Sequence, residues 1–323
     1  MHTFHRTLVC AVLILALLAC PGCRQEPEPT QERYEDYAIN MNTDFPCPDS
    51  LPDGGGKTVK VILLLGQSNA SGCSAAKYLQ GKISDEEYAG YEAGIENVLI
   101  NYCIDNHNAT SGGEFRPVDL TCGAYTGVFG PEVGMAYELS RAFPEETVFI
   151  LKFTMSGYSL NHHWLFGGQR ASIYDAFLVF VRTYLGLLQQ KHYVPQIGAV
   201  CWMQGESDTT EEKAARYYDN QVAFVSYLRE DLKEFAREGG IYFIDAGISS
   251  SPYCLPGYPA VNEAKERFAA LSAQNIYFST IDAGLTTLYE PDYEPDLGHY
   301  DAWCQLELGK LFGRELVKIY TEE

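Results

Sequence analysis

The chain has 323 residues, 23 Lys and Arg against 43 Asp and Glu, a formal net charge of -20 and 46% hydrophobic residues. So acidic a chain lacks the basic face that binds nucleic-acid phosphates, and it has no polybasic patch for anionic lipid. Its apolar fraction is that of a globular protein rather than a disordered one, and its length suits one large α/β domain as well as two.

The N-terminus carries Arg6 and then an unbroken apolar run over 8–19. That run is too short for a bilayer span, which needs about 20 residues, and has the length of a signal-peptide core. It ends Leu17-Leu18-Ala19-Cys20, which resembles a bacterial lipobox. Residues 1–19 are therefore expected to be a lipoprotein signal peptide and Cys20 the lipidation site. Cys23 is a weaker candidate, and an ordinary signal peptide is the alternative. The expected location is outside the cytoplasm, periplasmic or at the cell surface, on the outer leaflet of a bacterial membrane. Residues 20–52, rich in Pro, Glu, Gln and Asp, read as a tether. The alternative is an extra N-terminal strand docked through Tyr34, Tyr37 and Phe45. Export permits disulfides, but spacing cannot assign their pairing. The domain has no Cys-x-x-Cys, so a thiolate zinc site is not expected. Cys201, in an apolar run, reads as a buried free thiol.

From residue 53 to 323 the pattern is that of one domain. Short β-branched and aliphatic runs at 58–65, 147–153, 196–203, 241–245 and 275–281 read as buried strands, with a further short strand near 98–101. Helical patterns at 132–143, 171–190, 210–237, 260–274 and 306–319 lie among them. Buried strands alternating with helices predict a three-layer α/β/α sandwich with a mostly parallel, five-stranded sheet. Residues 70–130, Gly-rich and aromatic, read as a decorated loop region.

In open α/β sheets, ligands bind beyond the carboxyl ends of the strands. After the first strand stands Gly66-Gln67-Ser68-Asn69. After the second come Ser156-Gly157-Tyr158-Ser159 and then His162-His163-Trp164. After the third comes Gln204-Gly205-Glu206-Ser207-Asp208, and late in the chain Asp296-Leu297-Gly298-His299. A serine, histidines, carboxylates, amides and glycines on one edge are the components of acyl transfer. Ser68, on a glycine-flanked turn, is the candidate nucleophile. His299 follows Asp296 by three residues, a spacing that lets the carboxylate orient the imidazole. The pair His162-His163 has no third nitrogen or thiolate nearby, and no metal or cofactor is expected.

Gly66-Gln67-Ser68-Asn69, Trp202-Met203-Gln204-Gly205-Glu206-Ser207-Asp208 and Asp296-x-x-His299, in this order, resemble the SGNH-hydrolase superfamily. More narrowly they resemble the sialate O-acetylesterase-like group, with the family 6 acetylxylan esterases. The resemblance covers about residues 57–320. It implies a flavodoxin-like fold and a serine esterase acting on an acetylated carbohydrate. It also implies Ser68 as nucleophile, His299 as base and Asp296 as acid, with the Ser68 and Gly157 N–H groups and the Gln204 side-chain amide as oxyanion donors. Two departures stand out: Ser156-Gly157 where Gly-Gly is frequent, and Ala70 where Met is. Glu206 is the competing acid, or a buttress of the Ser68 loop, with Ser207 or Asp208 capping the following helix. Gln67, Glu132, Tyr158, Trp164 and Trp202 are candidate substrate contacts, with helix capping as the other reading of Glu132. Two competing classes remain. One is a catalytically inactive carbohydrate-binding protein on this scaffold. The other is the larger α/β-hydrolase fold, whose G-x-S-x-G elbow reads G-x-S-x-A here.

Overall fold

The structure, a computed structural model, describes residues 32–291 and 294–321. The signal segment 1–19 and the lipidation site Cys20 lie outside the described residues. Six strands form a parallel sheet: β1 (Thr58–Gly66), β2 (Ile95–Ile104), β5 (Val148–Thr154), β6 (Val194–Met203), β7 (Tyr242–Ala246) and β8 (Asn275–Phe278). Their order is β8-β7-β6-β1-β5-β2. Two short strands, β3 (Ala109–Thr110) and β4 (Arg116–Val118), add antiparallel to β2. The parallel core thus has one strand more than expected. β2 comes from the segment read as loop and runs well past 98–101 at both ends.

β5 is buried along its whole length, and β1 and β6 nearly so. Strands apolar on both faces need cover on both faces. A short helix α2 (Asp85–Ala93) precedes β2, and the helices that supply the cover include α3 (Glu132–Ala142), α4 (Ser172–Gln190), α5 (Glu211–Asp231), α6 (Tyr258–Ala269) and α7 (Ala302–Thr321). α3 packs on α7 and α5 on α6. The first pair lies backbone to backbone, since a Cβ on Gly309 would stand 2.1 Å from the Pro131 carbonyl oxygen.

β1 sits between β5 and β6, and Gly66 is in register with both Thr154 and Met203. The chain builds one side of β1 with β2 and β5 and the other with β6 to β8. The carboxyl end of β1 is therefore the topological switch point, where such sheets bind ligands.

The expected tether 20–52 requires correction in its described part. Phe45 and Leu51 are buried in the core, and Tyr184 donates to the Pro46 carbonyl at 3.0 Å. The Ile39 N–H donates to Ser172 Oγ at 3.1 Å. The anchors are isolated residues with long-range partners, so no periodicity marks them, and Tyr34–Asp36 forms a short 3-10 turn rather than a strand.

Candidate active site

Gly66 ends β1 with φ +143°, and a Cβ there would stand 1.9 Å from the Met203 carbonyl oxygen. Only glycine permits that turn. It throws the chain into α1 (Ser68–Ser71), with Ser68 partly exposed at its first position. The first N–H groups of a helix have no partner within it, so the Ser68 N–H stands at the switch point as a donor. Gly157, on an exposed turn after β5 with φ +77°, is open on the side a Cβ would take.

His299 Nδ1 and Asp296 Oδ2 are 2.6 Å apart. The same carboxylate accepts from the Gly298 N–H at 3.0 Å. Cys73 lines the same cavity as His299, and the imidazole is raised to about 9. Burial is its largest single influence and works downward; the influences of Cys73 and Asp296 outweigh it. Cys73 Sγ in turn lies 3.6 Å from the Ser68 carbonyl oxygen. No hydrogen bond joins the Ser68 hydroxyl to His299 among the described residues. Catalytic bonds of ligand-free enzymes commonly tighten only in the complex.

The link between the nucleophile's turn and the base is the Asn69 side chain. Its Nδ2 donates to Glu206 Oε1 at 2.6 Å and to the Gly298 carbonyl at 3.1 Å. Its Oδ1 accepts from the Tyr300 N–H at 3.2 Å. The residue after the serine thus holds both neighbours of His299. Glu206 is fully buried and bonded to Asn69; it makes no hydrogen bond to the imidazole among the described residues. Burial raises its pKa, against the Asn69 bond. The motifs of the sequence contain Asn69, but only the long-range pairing reveals its task.

Four predicted contacts are placed elsewhere. Trp164 and Trp202 are completely buried, their rings 5.2 Å apart, with Trp202 4.7 Å from Phe224. They are core and cannot touch a sugar. Glu132 is buried against Lys152, 2.7 Å away, and accepts from the Gly130 N–H at 2.8 Å. It is an internal brace at the start of α3. Gln67 is buried too, and its Oε1 accepts from the Ser207 N–H and the Gln204 amide, both at 3.2 Å. It ties the β1 turn to the β6 turn.

Gln204 also departs from expectation. Its amide nitrogen reaches Asp208 Oδ2 at 2.6 Å, Gln67 Oε1 at 3.2 Å and the Tyr158 carbonyl at 3.3 Å. Its oxygen accepts from Tyr217 at 2.9 Å. Two hydrogens with three acceptors leave no donor for an oxyanion. Asp208 caps no part of α5, whose N-cap is Thr210. It accepts instead from the Leu160 and Asn161 N–H groups at 2.8 and 3.1 Å, and Ser207 is engaged through its backbone with Gln67. Asp208 therefore joins the turn after β6 to the segment after β5. Tyr158 alone of the five predicted substrate contacts is partly exposed beside the site.

The remaining histidines do other work. His107 Nε2 donates to the Asn42 carbonyl at 3.1 Å, and its ring stacks on Phe45. His162 stacks under Tyr37 and meets Glu32 at 3.2 Å. His163 bonds Ser159 at 2.9 Å and is lowered to about 4, chiefly by burial. All cysteines among the described residues are free thiols. A cavity of about 380 Å³ opens beside the base, lined by Cys73, Lys77, Tyr125, Glu290, Asp296 and His299 among others.

Residues 58–318 match the family of carbohydrate esterases described as sialic acid-specific acetylesterase. The chain belongs to this family, and it is a carboxylic ester hydrolase. Among solved structures it is similar to a protein from Arabidopsis thaliana, at 17% identity and TM-score 0.58 over 80% of this chain and 98% of that one. It is similar to NanS at 16% identity and TM-score 0.57, over 83% and 99% of the two chains. A carbohydrate acetylesterase from Xanthomonas citri is 16% identical with TM-score 0.52, over 81% of this chain and 56% of its own. At these identities the likeness is one of fold. No curated protein matches the sequence.

Proposed function

We propose that the protein removes O-acetyl groups from a carbohydrate through an acetyl-enzyme on Ser68. Ser68 Oγ attacks the ester carbonyl while His299 takes its proton, and Asp296 holds the resulting imidazolium. The oxyanion is held by the N–H groups of Ser68 and Gly157, each such donor contributing on the order of 3 kcal/mol. His299 then gives the proton to the departing sugar oxygen. Water, deprotonated by the same imidazole, attacks the acetyl carbonyl; the Oγ–acyl bond breaks, the imidazolium returns its proton to Ser68 Oγ, and acetate leaves. The observation that carries this reading is the 2.6 Å Asp296–His299 pair, held by Asn69 against the loop of Ser68. Family membership supports the substrate class.

The test is acetate release from acetylated xylan, O-acetylated sialosides and acetylated pectin. Release from at least one, lost in His299→Ala, is expected. Glycan binding with no acetate released from any acetyl ester would favour the inactive binding protein instead. We further propose that the enzyme is exported and lipidated on Cys20, on the strength of the 8–19 apolar run and the Leu17–Cys20 sequence. Incorporation of labelled fatty acid, abolished in Cys20→Ala, is the expected outcome; label that persists in the variant contradicts it.

A further inference from the structure

A second cavity, of about 420 Å³, adjoins the catalytic one and takes no part in the mechanism above. Its lining includes Lys82, Tyr289, Asp301 and Trp303. The two cavities share a wall. Lys82, on the second, is ion-paired with Glu290, on the first. Glu290 also accepts from the Ala302 N–H at 2.7 Å. Along the chain, His299 and Tyr300 face one cavity while Asp301 and Trp303 face the other.

The aromatic lining of this cavity is open to an occupant. Trp303 is 41% exposed and Tyr289 66% exposed, whereas the other two tryptophans, Trp164 and Trp202, are completely buried. Asp301 is only 3% exposed. Its Oδ1 accepts from the Tyr289 N–H at 3.1 Å, but its Oδ2 has no hydrogen-bond partner among the described residues. That oxygen is sealed from solvent, so Asp301 braces the Tyr289 turn and is not offered to a ligand. A pyranose ring suits the exposed aromatics. Its C–H faces pack on aromatic rings, and its rim of hydroxyls bonds to the Lys82 ammonium on the cavity wall.

We infer that this cavity is a second sugar subsite, which binds the unit next to the acetylated one, so that the enzyme acts on oligosaccharides or polymers rather than on free monosaccharides. The inference rests on the acetylesterase reading for what occupies the neighbouring cavity. The Lys82–Glu290 pair is then the divider between the two sugar positions, with the Lys82 ammonium available to a hydroxyl of either.

The experiment compares wild type with Trp303→Ala and Tyr289→Ala on three substrates: p-nitrophenyl acetate, an acetylated monosaccharide, and the matching acetylated oligosaccharide, in the xylose and sialic acid series. Wild type is expected to prefer the oligosaccharide. Each variant is expected to lose about tenfold in kcat/KM on it through KM, the scale of one aromatic contact, with the other two substrates unaffected. Equal kcat/KM for oligosaccharide and monosaccharide in wild type would overturn the inference, as would a uniform loss on all three substrates in the variants. A binding readout stands apart from turnover. Deacetylated oligosaccharide should shift the tryptophan emission of Ser68→Ala but not of Ser68→Ala with Trp303→Phe. That shift without hydrolysis of any acetylated sugar would sink the esterase reading and keep the subsite; hydrolysis without the shift would do the reverse.

Discussion

At the scale of single residues, the base is the informative group. His299 is raised to about 9, because Cys73 and Asp296 together outweigh burial. A raised imidazole favours the charged form in the folded protein. Its contribution to stability is therefore present at low pH and lost as pH rises through about 9. Catalysis runs the other way, since the base must be neutral to accept the serine proton. The kcat/KM for p-nitrophenyl acetate should thus climb through the alkaline range toward a plateau above pH 9. Cys73→Ala removes one of the raising influences and should move that limb to lower pH. A pH profile of the variant that overlays the wild type would contradict this role of the thiol. The Asp296–His299 spacing was legible in the sequence because i,i+3 geometry is local. The tasks of Asn69 and Gln204 were not. Asn69 is decided by Glu206 and Gly298, each more than 100 positions away; the Gln204 side chain is taken up by Tyr217 on α5, by Gln67, and by Asp208, a neighbour within the motif whose approach its spacing does not show.

At the scale of elements, the strands were legible where they are fully buried, because continuous apolar runs announce two covered faces. β2 was partly hidden: its first residues are mixed, and it is flanked by glycine-rich and aromatic connections that carry no period. β5, read at 147–153, is observed at Val148–Thr154 despite an internal charge. Lys152 sits completely buried in an otherwise apolar strand, held by Glu132 at 2.7 Å and the Cys122 carbonyl at 2.9 Å. That brace explains why Glu132, placed like a surface cap by its position at the helix start, is unavailable to substrate. Glu132→Ala would leave the ammonium buried with its charge unpaired, at a cost of about 3–5 kcal/mol. Urea unfolding should show that loss as a lower midpoint. A change under about 1 kcal/mol would mean that Lys152 finds water or another acceptor. The aromatic cluster of Trp164, Trp202 and Phe224 lies beneath the same edge. Large aromatics close to motif residues read as ligand contacts, and here burial makes them support for the turns above.

At the scale of the whole molecule, the acidic charge excluded nucleic acid but located nothing. The boundary of the folded unit was misplaced for a physical reason. Residues 32–52 have the composition of a linker, yet Phe45 inserts against Phe180 at 5.3 Å and stacks on His107 at 5.0 Å. Binding along a finished surface needs a few anchors, not a period. Phe45→Ala should therefore cost about 3 kcal/mol in global stability while leaving kcat at low temperature near wild type. An unchanged unfolding midpoint would return this segment to the status of a tether. The three strand ends around β1 unite the three scales, because register between Gly66, Thr154 and Met203 brings distant motifs to one point. The claim that they form an esterase site rests most heavily on Ser68. The direct measurement is the p-nitrophenyl acetate turnover of Ser68→Ala, with its thermal midpoint taken alongside. We predict a fall of about 10³-fold or more in kcat at an unchanged midpoint; turnover near wild type in a folded Ser68→Ala protein would contradict the account.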